Sequence, residues 1–256
     1  MQTNDIDLHF LRDCLREAGQ AALQQWGRAP ATVKADQTPV TEVDRQVEQY
    51  LIERIAGRYP SHAVLSEESG MHAAQSETTW IIDPIDGTRS FASGLPIWGV
   101  SIGILRAGRP VAGGLYLPVT GEMFWGTRSA AYYNDQQILP ERPVDLQSVL
   151  TFLAVSSSFY IHFDVRFPRA RSMGSTAAHL AYTVSGAAAG TLLHNISLWD
   201  IAGMLPLLGA AGMVITTLDG TLFNPADLLD GLPLRRPVLA AHASVIEELR
   251  ATIREK

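Results

Sequence analysis

From Asp5 to Trp26 apolar residues recur every three or four positions, at Leu8, Leu11, Leu15, Ala18, Ala22 and Trp26. That period lines one face of a helix, and Gly27 is placed to close it. A second helix is expected after Pro39, with Thr41 as N-cap and Val43, Val47, Leu51 and Ile55 as its buried stripe. The pattern then shortens to strand-like pieces: HAVLS at 62–66, WIID at 80–83, and a train of β-prone runs from Ile97 to Ile138. Ala107-Gly108, Gly113-Gly114, Pro118, Gly121 and Asn134-Asp135 are read as the turns of an antiparallel meander.

The prolines of LPERP, 139–143, set a boundary. Beyond it the elements alternate. LTFLAVSS, GTLLHNI, MVITT and VLAAH read as strands, and helices are expected after Gly174, after Asp200 and from about Ser244. Ala187 to Ala189 suit a tight packing point. The fold class expected is therefore α+β over residues 1–142 followed by α/β over 143–256.

Composition narrows the function. Hydrophobic residues make up 46% and charged residues 18% of 256, the balance of a folded domain. A net charge of -6 argues against a nucleic-acid partner, which needs a basic stripe to displace counterions, and favours metal cations. Cys14 is the single cysteine, so thiolate metal sites and internal disulfides are excluded, and a reducing compartment is the expected setting. The start, MQTNDIDLHF, has no apolar core of a signal peptide, so the protein is read as cytoplasmic. Ile201 to Leu218 carries no charge, but Gly203, Pro206, Gly209 and Gly212 interrupt it, and a buried helix followed by a strand is expected, with no membrane partner.

The chemistry concentrates in WIIDPIDGTRSF, 80–91, where an apolar strand delivers Asp83 and Asp86 into one tight turn. Two such carboxylates repel unless a cation lies between them, and hard divalent ions take oxygen ligands of this type. Gly87 and Thr88 are expected to open a short helix whose free N–H groups suit a phosphate. The bland reading is an Asp-rich turn. Glu67 and Glu68 likewise suit an exposed acidic loop, Asp200 an N-cap, and Asp44 a capping box with Thr41.

Taken together, VTEVD at 40–44, SEES at 66–69, WIIDPIDGTRSF at 80–91, MGSTAAHLAYTVSG at 173–186 and LWDIAG at 198–203 resemble, in order and spacing, the signatures of the inositol monophosphatase family. The resemblance implies a layered α-β-α-β-α sandwich of the inositol monophosphatase and fructose-1,6-bisphosphatase type, a homodimer, and magnesium-dependent hydrolysis of a small phosphorylated metabolite. It implies one Mg2+ held by Glu67, Asp83 and the Ile85 carbonyl and a second by Asp83, Asp86 and Asp200, with a third near Glu67. Thr88, bonded to Asp44, then orients a water with Glu67; Gly87 and Thr88 grip the phosphate; and Gly174 and Ser175 line the substrate side. Where inositol-cleaving members carry a glutamate for sugar hydroxyls, this chain has Leu193, then His194. Losing that acceptor costs roughly 1 to 3 kcal/mol of recognition, and Leu193→Glu is expected to improve inositol phosphate cleavage if that position contacts substrate.

GLPIWGVSIG, 94–103, and the ISLWD ending look somewhat like histidinol-phosphate phosphatases of the same superfamily, the second reading. Fructose 1,6-bisphosphate and 3'-phosphonucleotides are further substrate classes. His194 and Arg89 are assigned either to substrate or to the surface. A haloacid-dehalogenase phosphatase needs DxDGT; DPIDGT is one residue too long, and TLDGT, 217–221, lacks the first aspartate and reads as a hairpin turn. A catalytically inactive phosphate-binding relative is the non-enzyme alternative.

Overall fold

The computed structural model describes residues 6–34, 37–72, 76–140, 144–228 and 232–256. Helices α1 (Leu8–Leu23) and α2 (Glu42–Arg58) flank a small hairpin of β1 (Ala31–Val33) and β2 (Pro39–Thr41). Next come β3 (Ala63–Ser66), β4 (Gly70–His72), β5 (Thr78–Asp86), the short α3 (Thr88–Ala92), and the meander β6 (Gly99–Arg106), β7 (Arg109–Leu117), β8 (Glu122–Thr127), β9 (Ala131–Tyr133) and β10 (Gln136–Ile138). They form an eight-stranded sheet ordered β10-β9-β8-β7-β6-β5-β3-β4. Its pairs are antiparallel except β3 with β5.

The second half supplies β11 (Leu153–Val155), α4 (Phe159–His162), β12 (Phe163–Val165), β13 (Ala170–Arg171), α5 (Thr176–Val184), β14 (Gly190–Leu193), α6 (Leu198–Ala202), α7 (Leu205–Ala210), β15 (Met213–Thr217), β16 (Val238–His242), α8 (Ile246–Arg250) and β17 (Ile253–Glu255). A five-stranded sheet runs β13-β11-β14-β16-β15, and β12 pairs with β17. The layers follow from which faces are apolar. Leu11, Leu15, Val47, Leu51 and Ile55 of α1 and α2 pack with Trp80, Ile82 and Ile102 on one face of the large sheet. Leu65, Ile81 and Leu115 on the opposite face share a second cluster with α5, α6 and α7 and with Leu193, Val238 and Ala240 of the smaller sheet. Leu192, Leu239 and Ala241, on the other face of the smaller sheet, pack with Ile246 and Leu249 of α8. The result is the expected α-β-α-β-α sandwich, its central helices sharing one apolar core with both sheets.

The element ends differ from the sequence reading in instructive ways. α1 runs Leu8–Leu23 with Asp7 as N-cap, accepting from the His9 and Phe10 amides, and Trp26 lies beyond it with its indole N–H on the Leu95 carbonyl, 3.0 Å. The start expected at Asp5 lies outside the described residues, as do 141–143 of the expected boundary. Gly113 and Gly114 are not a turn: they sit within β7, opposite Gly126 and Trp125 of β8. A Cβ at Gly113 would collide with the Gly203 carbonyl, and one at Gly103 with the backbone of Ala202. These glycines let α6 lie directly on the sheet. Pro206 does not bend one long helix; it sits in the first turn of α7, where its missing N–H is harmless. The uncharged 201–218 segment is thus two short buried helices and a strand. Among the described residues no helix is long and apolar enough to cross a membrane.

Candidate metal centre

Asp83 and Asp86 are three residues apart on β5, and strict alternation would aim them at opposite faces. The ladder prevents this: Asp83 pairs with Ser101 and Asp86 with Gly99, so three residues on β5 span two on β6. This bulge re-aims the strand. Asp200, from the third position of α6, joins them, and ligand oxygens of Asp83, Asp86 and Asp200 lie within 4.8 Å of one another. The bland alternative for Asp200, an N-cap, is replaced by a related one: Ser197 is the N-cap, and Asp200 closes its capping box, accepting the Ser197 amide at 2.6 Å.

Asp83 and Asp86 are buried and Asp200 is half-buried, and desolvation opposes the charge of all three. Burial, then the neighbouring Glu67, Asp86 and Asp200, raise Asp83 well above the usual range. Its Oδ1 is buried with no hydrogen-bond partner among the described residues. Burial raises Asp200 to about 8, the Ser197 amide opposing and Asp86 and Glu67 adding to the rise. Asp86 reaches about 6 for the same first cause, restrained by bonds from the start of α5: the Ser175 hydroxyl, the Ala177 amide at 2.8 Å and the Thr176 amide at 3.2 Å. Three converging, desolvated carboxyls with an orphaned oxygen are poorly stable as neighbouring anions and fit a hard divalent cation with oxygen ligands.

Asp44 lies beside this group. It fills the predicted capping box, Thr41 donating through its amide at 2.8 Å and its hydroxyl at 2.6 Å, while Thr88 Oγ1 reaches Asp44 Oδ1 at 3.1 Å. One side chain thus closes the capping box and makes the Thr88 bond that the resemblance implies. Thr88 Oγ1 also lies 3.0 Å from the Ile85 carbonyl, but one hydroxyl has one proton. Donation to Asp44 frees both the Ile85 carbonyl and the Thr88 lone pairs for other partners. Glu67 and Glu68 are not an exposed loop: both meet Lys34 Nζ, at 2.9 and 2.6 Å, and burial raises the Glu67 carboxyl while Lys34 opposes.

Gly87 and Gly174 meet where the two halves of the chain close. Both have φ near +92°, and a Cβ on Gly87 would lie 2.7 Å from the Gly174 carbonyl. Only glycine fits this approach. Gly87 caps α3, and Ser175 caps α5, whose first amides bond Asp86 of the carboxyl cluster. Leu193 departs from its expected place on the substrate side: it is 3% exposed, packed in the central apolar cluster. Strand alternation then sends His194 to the other face, where its ring lies 4.7 Å from His162 and 5.5 Å from Phe163. Arg89 is exposed and donates to the Gln37 carbonyl at 3.4 Å. Asp219 of TLDGT accepts from Thr221 N at 3.0 Å within an exposed turn, remote in role from the cluster.

Sequence reasoning missed Lys34, the Thr176 and Ala177 amides, and Glu48, which is 5% exposed and accepts the Glu68 and Ser69 amides at 3.2 and 3.1 Å. Glu48 lies on α2 four residues past Asp44, so its place on the same face was the available signal.

Comparison with known proteins agrees with this geometry. A family model described as the inositol monophosphatase family matches residues 7–256. A fructose-1,6-bisphosphatase/inositol-1-monophosphatase of Aquifex aeolicus is 32% identical over 77% of this chain and 79% of its own. A histidinol-phosphatase of Chlorobaculum parvum is 29% identical over 80% and 83%. The solved structure of a Thermotoga maritima IMPase superposes with a TM-score of 0.83 at 24% identity, covering 96% of this chain and 95% of that one. The chain belongs to the inositol monophosphatase family, phosphatases that hydrolyse phosphate monoesters.

Proposed function

We propose that the protein hydrolyses a small-molecule phosphate monoester by attack of a metal-activated water, with Mg2+ as cofactor. The observation that carries this is the convergence of buried Asp83 and Asp86 with half-buried Asp200, the Asp83 Oδ1 having no hydrogen-bond partner among the described residues. Glu67, Asp83 and the Ile85 carbonyl would hold one ion and Asp83, Asp86 and Asp200 another, with a third near Glu67. Bound metal supplies a water of lowered pKa and neutralises charge on the phosphate and leaving oxygen. The chain's own groups do the rest. Asp44 accepts the hydrogen bond of the Thr88 hydroxyl, which leaves the Thr88 oxygen lone pairs to accept from the attacking water and align it, and Glu67 would receive a proton from that water. The amides of Gly87 and Thr88 bind phosphate oxygens, and Gly174 and Ser175 close the substrate side. No protein nucleophile takes part.

Inositol 1-phosphate is the first substrate reading, by family likeness. Histidinol phosphate is the second, by likeness to the histidinol-phosphatase of Chlorobaculum parvum. A homodimer and a cytoplasmic setting complete the proposal, the former checked by sedimentation velocity. The test is phosphate release from inositol 1-phosphate, histidinol phosphate, fructose 1,6-bisphosphate and 3'-phosphoadenosine 5'-phosphate, with magnesium or with chelator. Magnesium-dependent turnover is expected; fastest release from histidinol phosphate selects the second reading. Turnover undiminished by chelator, or an aspartyl-phosphate trapped on the protein, would refute the mechanism.

A further inference from the structure

Helix α5 is tied by polar bonds to the large sheet at two points among the described residues. At its start Ser175, Thr176 and Ala177 hold Asp86 of β5. Two turns on, the Tyr182 hydroxyl donates to Glu122 Oε2 of β8 at 2.8 Å. The other oxygen of Glu122 accepts Tyr133 of β9 at 3.0 Å, so the carboxylate is gripped from within the sheet while it receives the helix. Burial, and then the Glu122 carboxylate, push both phenols up, so both remain donors.

The second tie matters because of what α5 packs with. Ala177, Ala178 and Ala181 make up much of its buried face, beside Leu180 and Val184. Alanine ridges are shallow and resist sliding along the helix axis weakly. The bonds among Thr183, Thr191 and His179 fasten α5 to β14 of the smaller sheet, not to the sheet that carries Asp86. We infer that Glu122 and Tyr182 are positioning residues: by fixing α5 against the large sheet they hold the Ser175 hydroxyl and the Thr176 and Ala177 amides on Asp86, and so set that carboxylate for metal. This rests on the metal reading proposed above, but the latch itself has a metal-free consequence.

The test compares the unsubstituted protein with Tyr182→Phe, which keeps the ring packed at 6.1 Å on Phe124 and removes only the hydroxyl. Tyr133→Phe is the control, since it deletes a bond to the same carboxylate without touching α5. In metal-free protein, amide hydrogen exchange at Thr176 and Ala177 is expected to quicken in Tyr182→Phe by roughly three- to tenfold, the scale of one lost hydrogen bond, and to stay unchanged in Tyr133→Phe. Magnesium affinity by titration calorimetry is expected to fall by a similar factor in Tyr182→Phe alone. Unchanged exchange at these amides, or equal effects of the two substitutions, would overturn the latch. Quickened exchange with no magnesium binding by the unsubstituted protein would overturn the metal reading and the functional part of this inference, leaving the mechanical tie standing.

Discussion

Asp200 illustrates how one carboxyl can close a helix cap and, in the proposed mechanism, hold a metal. Its Oδ2 closes the Ser197 capping box, yet burial among Asp83, Asp86 and Glu67 raises it to about 8, far above the ordinary 3.8. A carboxyl whose folded pKa is raised favours the folded state while protonated. Its contribution is complete below the unfolded pKa and is lost as pH climbs through the folded one. For Asp86 at about 6 and Asp200 at about 8, the window runs from about pH 4 to pH 8. The melting temperature of chelator-treated protein should therefore receive a falling contribution across that range. With saturating magnesium the slope should reverse, because ligands must lose their protons to bind metal, and calorimetry in buffers of different ionisation enthalpy should register proton release. A metal-independent pH profile would contradict the cluster's role.

Leu193 changes a prediction at the same scale. From sequence, glutamate there should improve polyol recognition. In the fold the side chain is 3% exposed within the core shared by α5 and α6. Leu193→Glu should instead destabilise by roughly 3 to 5 kcal/mol, the scale of an uncompensated buried charge, as measured by urea unfolding. Wild-type stability with improved inositol phosphate cleavage would put the residue back at the substrate.

Among the elements, α1 was legible from its apolar period alone, ending three residues before the expected Trp26, and α2 from period and cap together, down to the Thr41 and Asp44 box. The paired aspartates were legible as a motif, whereas the bulge that makes them converge depends on pairing with β6, which local sequence does not encode. Gly113-Gly114 misled because glycine marks both turns and close backbone approach. Here it is the second, and it sets Asp200: α6 rests on Gly103 and Gly113, and Gly203 on the Gly114 carbonyl at 2.7 Å from any added Cβ. Gly103→Ala is expected to push the Ala202 backbone outward, costing about 1 to 3 kcal/mol of overpacking and weakening magnesium binding more than the stability loss alone accounts for. Calorimetry beside thermal unfolding separates the two; undiminished affinity in a destabilised variant would show that α6 relaxes without moving Asp200. Lys34 was illegible because its partner Glu67 lies 33 residues away, and Glu48 offered only its place four residues past Asp44.

At the scale of the whole molecule, carboxylates from two halves of the chain meet between two sheets, Asp83 and Asp86 from one and Asp200 from the other, with α5 spanning them. The layered class followed from the order of elements and the family resemblance together; the shared central core follows from helices that are apolar on more than one face. The central claim is that this meeting point holds catalytic magnesium, and Asp83→Asn tests it most directly, with magnesium titrated into chelator-treated protein and phosphate release measured on the same samples. The account predicts binding of two or three ions by the unsubstituted protein. In the variant it predicts weakened binding and turnover lower by roughly a thousandfold or more, since several kcal/mol of transition-state stabilisation go with the metal. Magnesium-dependent turnover in Asp83→Asn at the wild-type rate would contradict it.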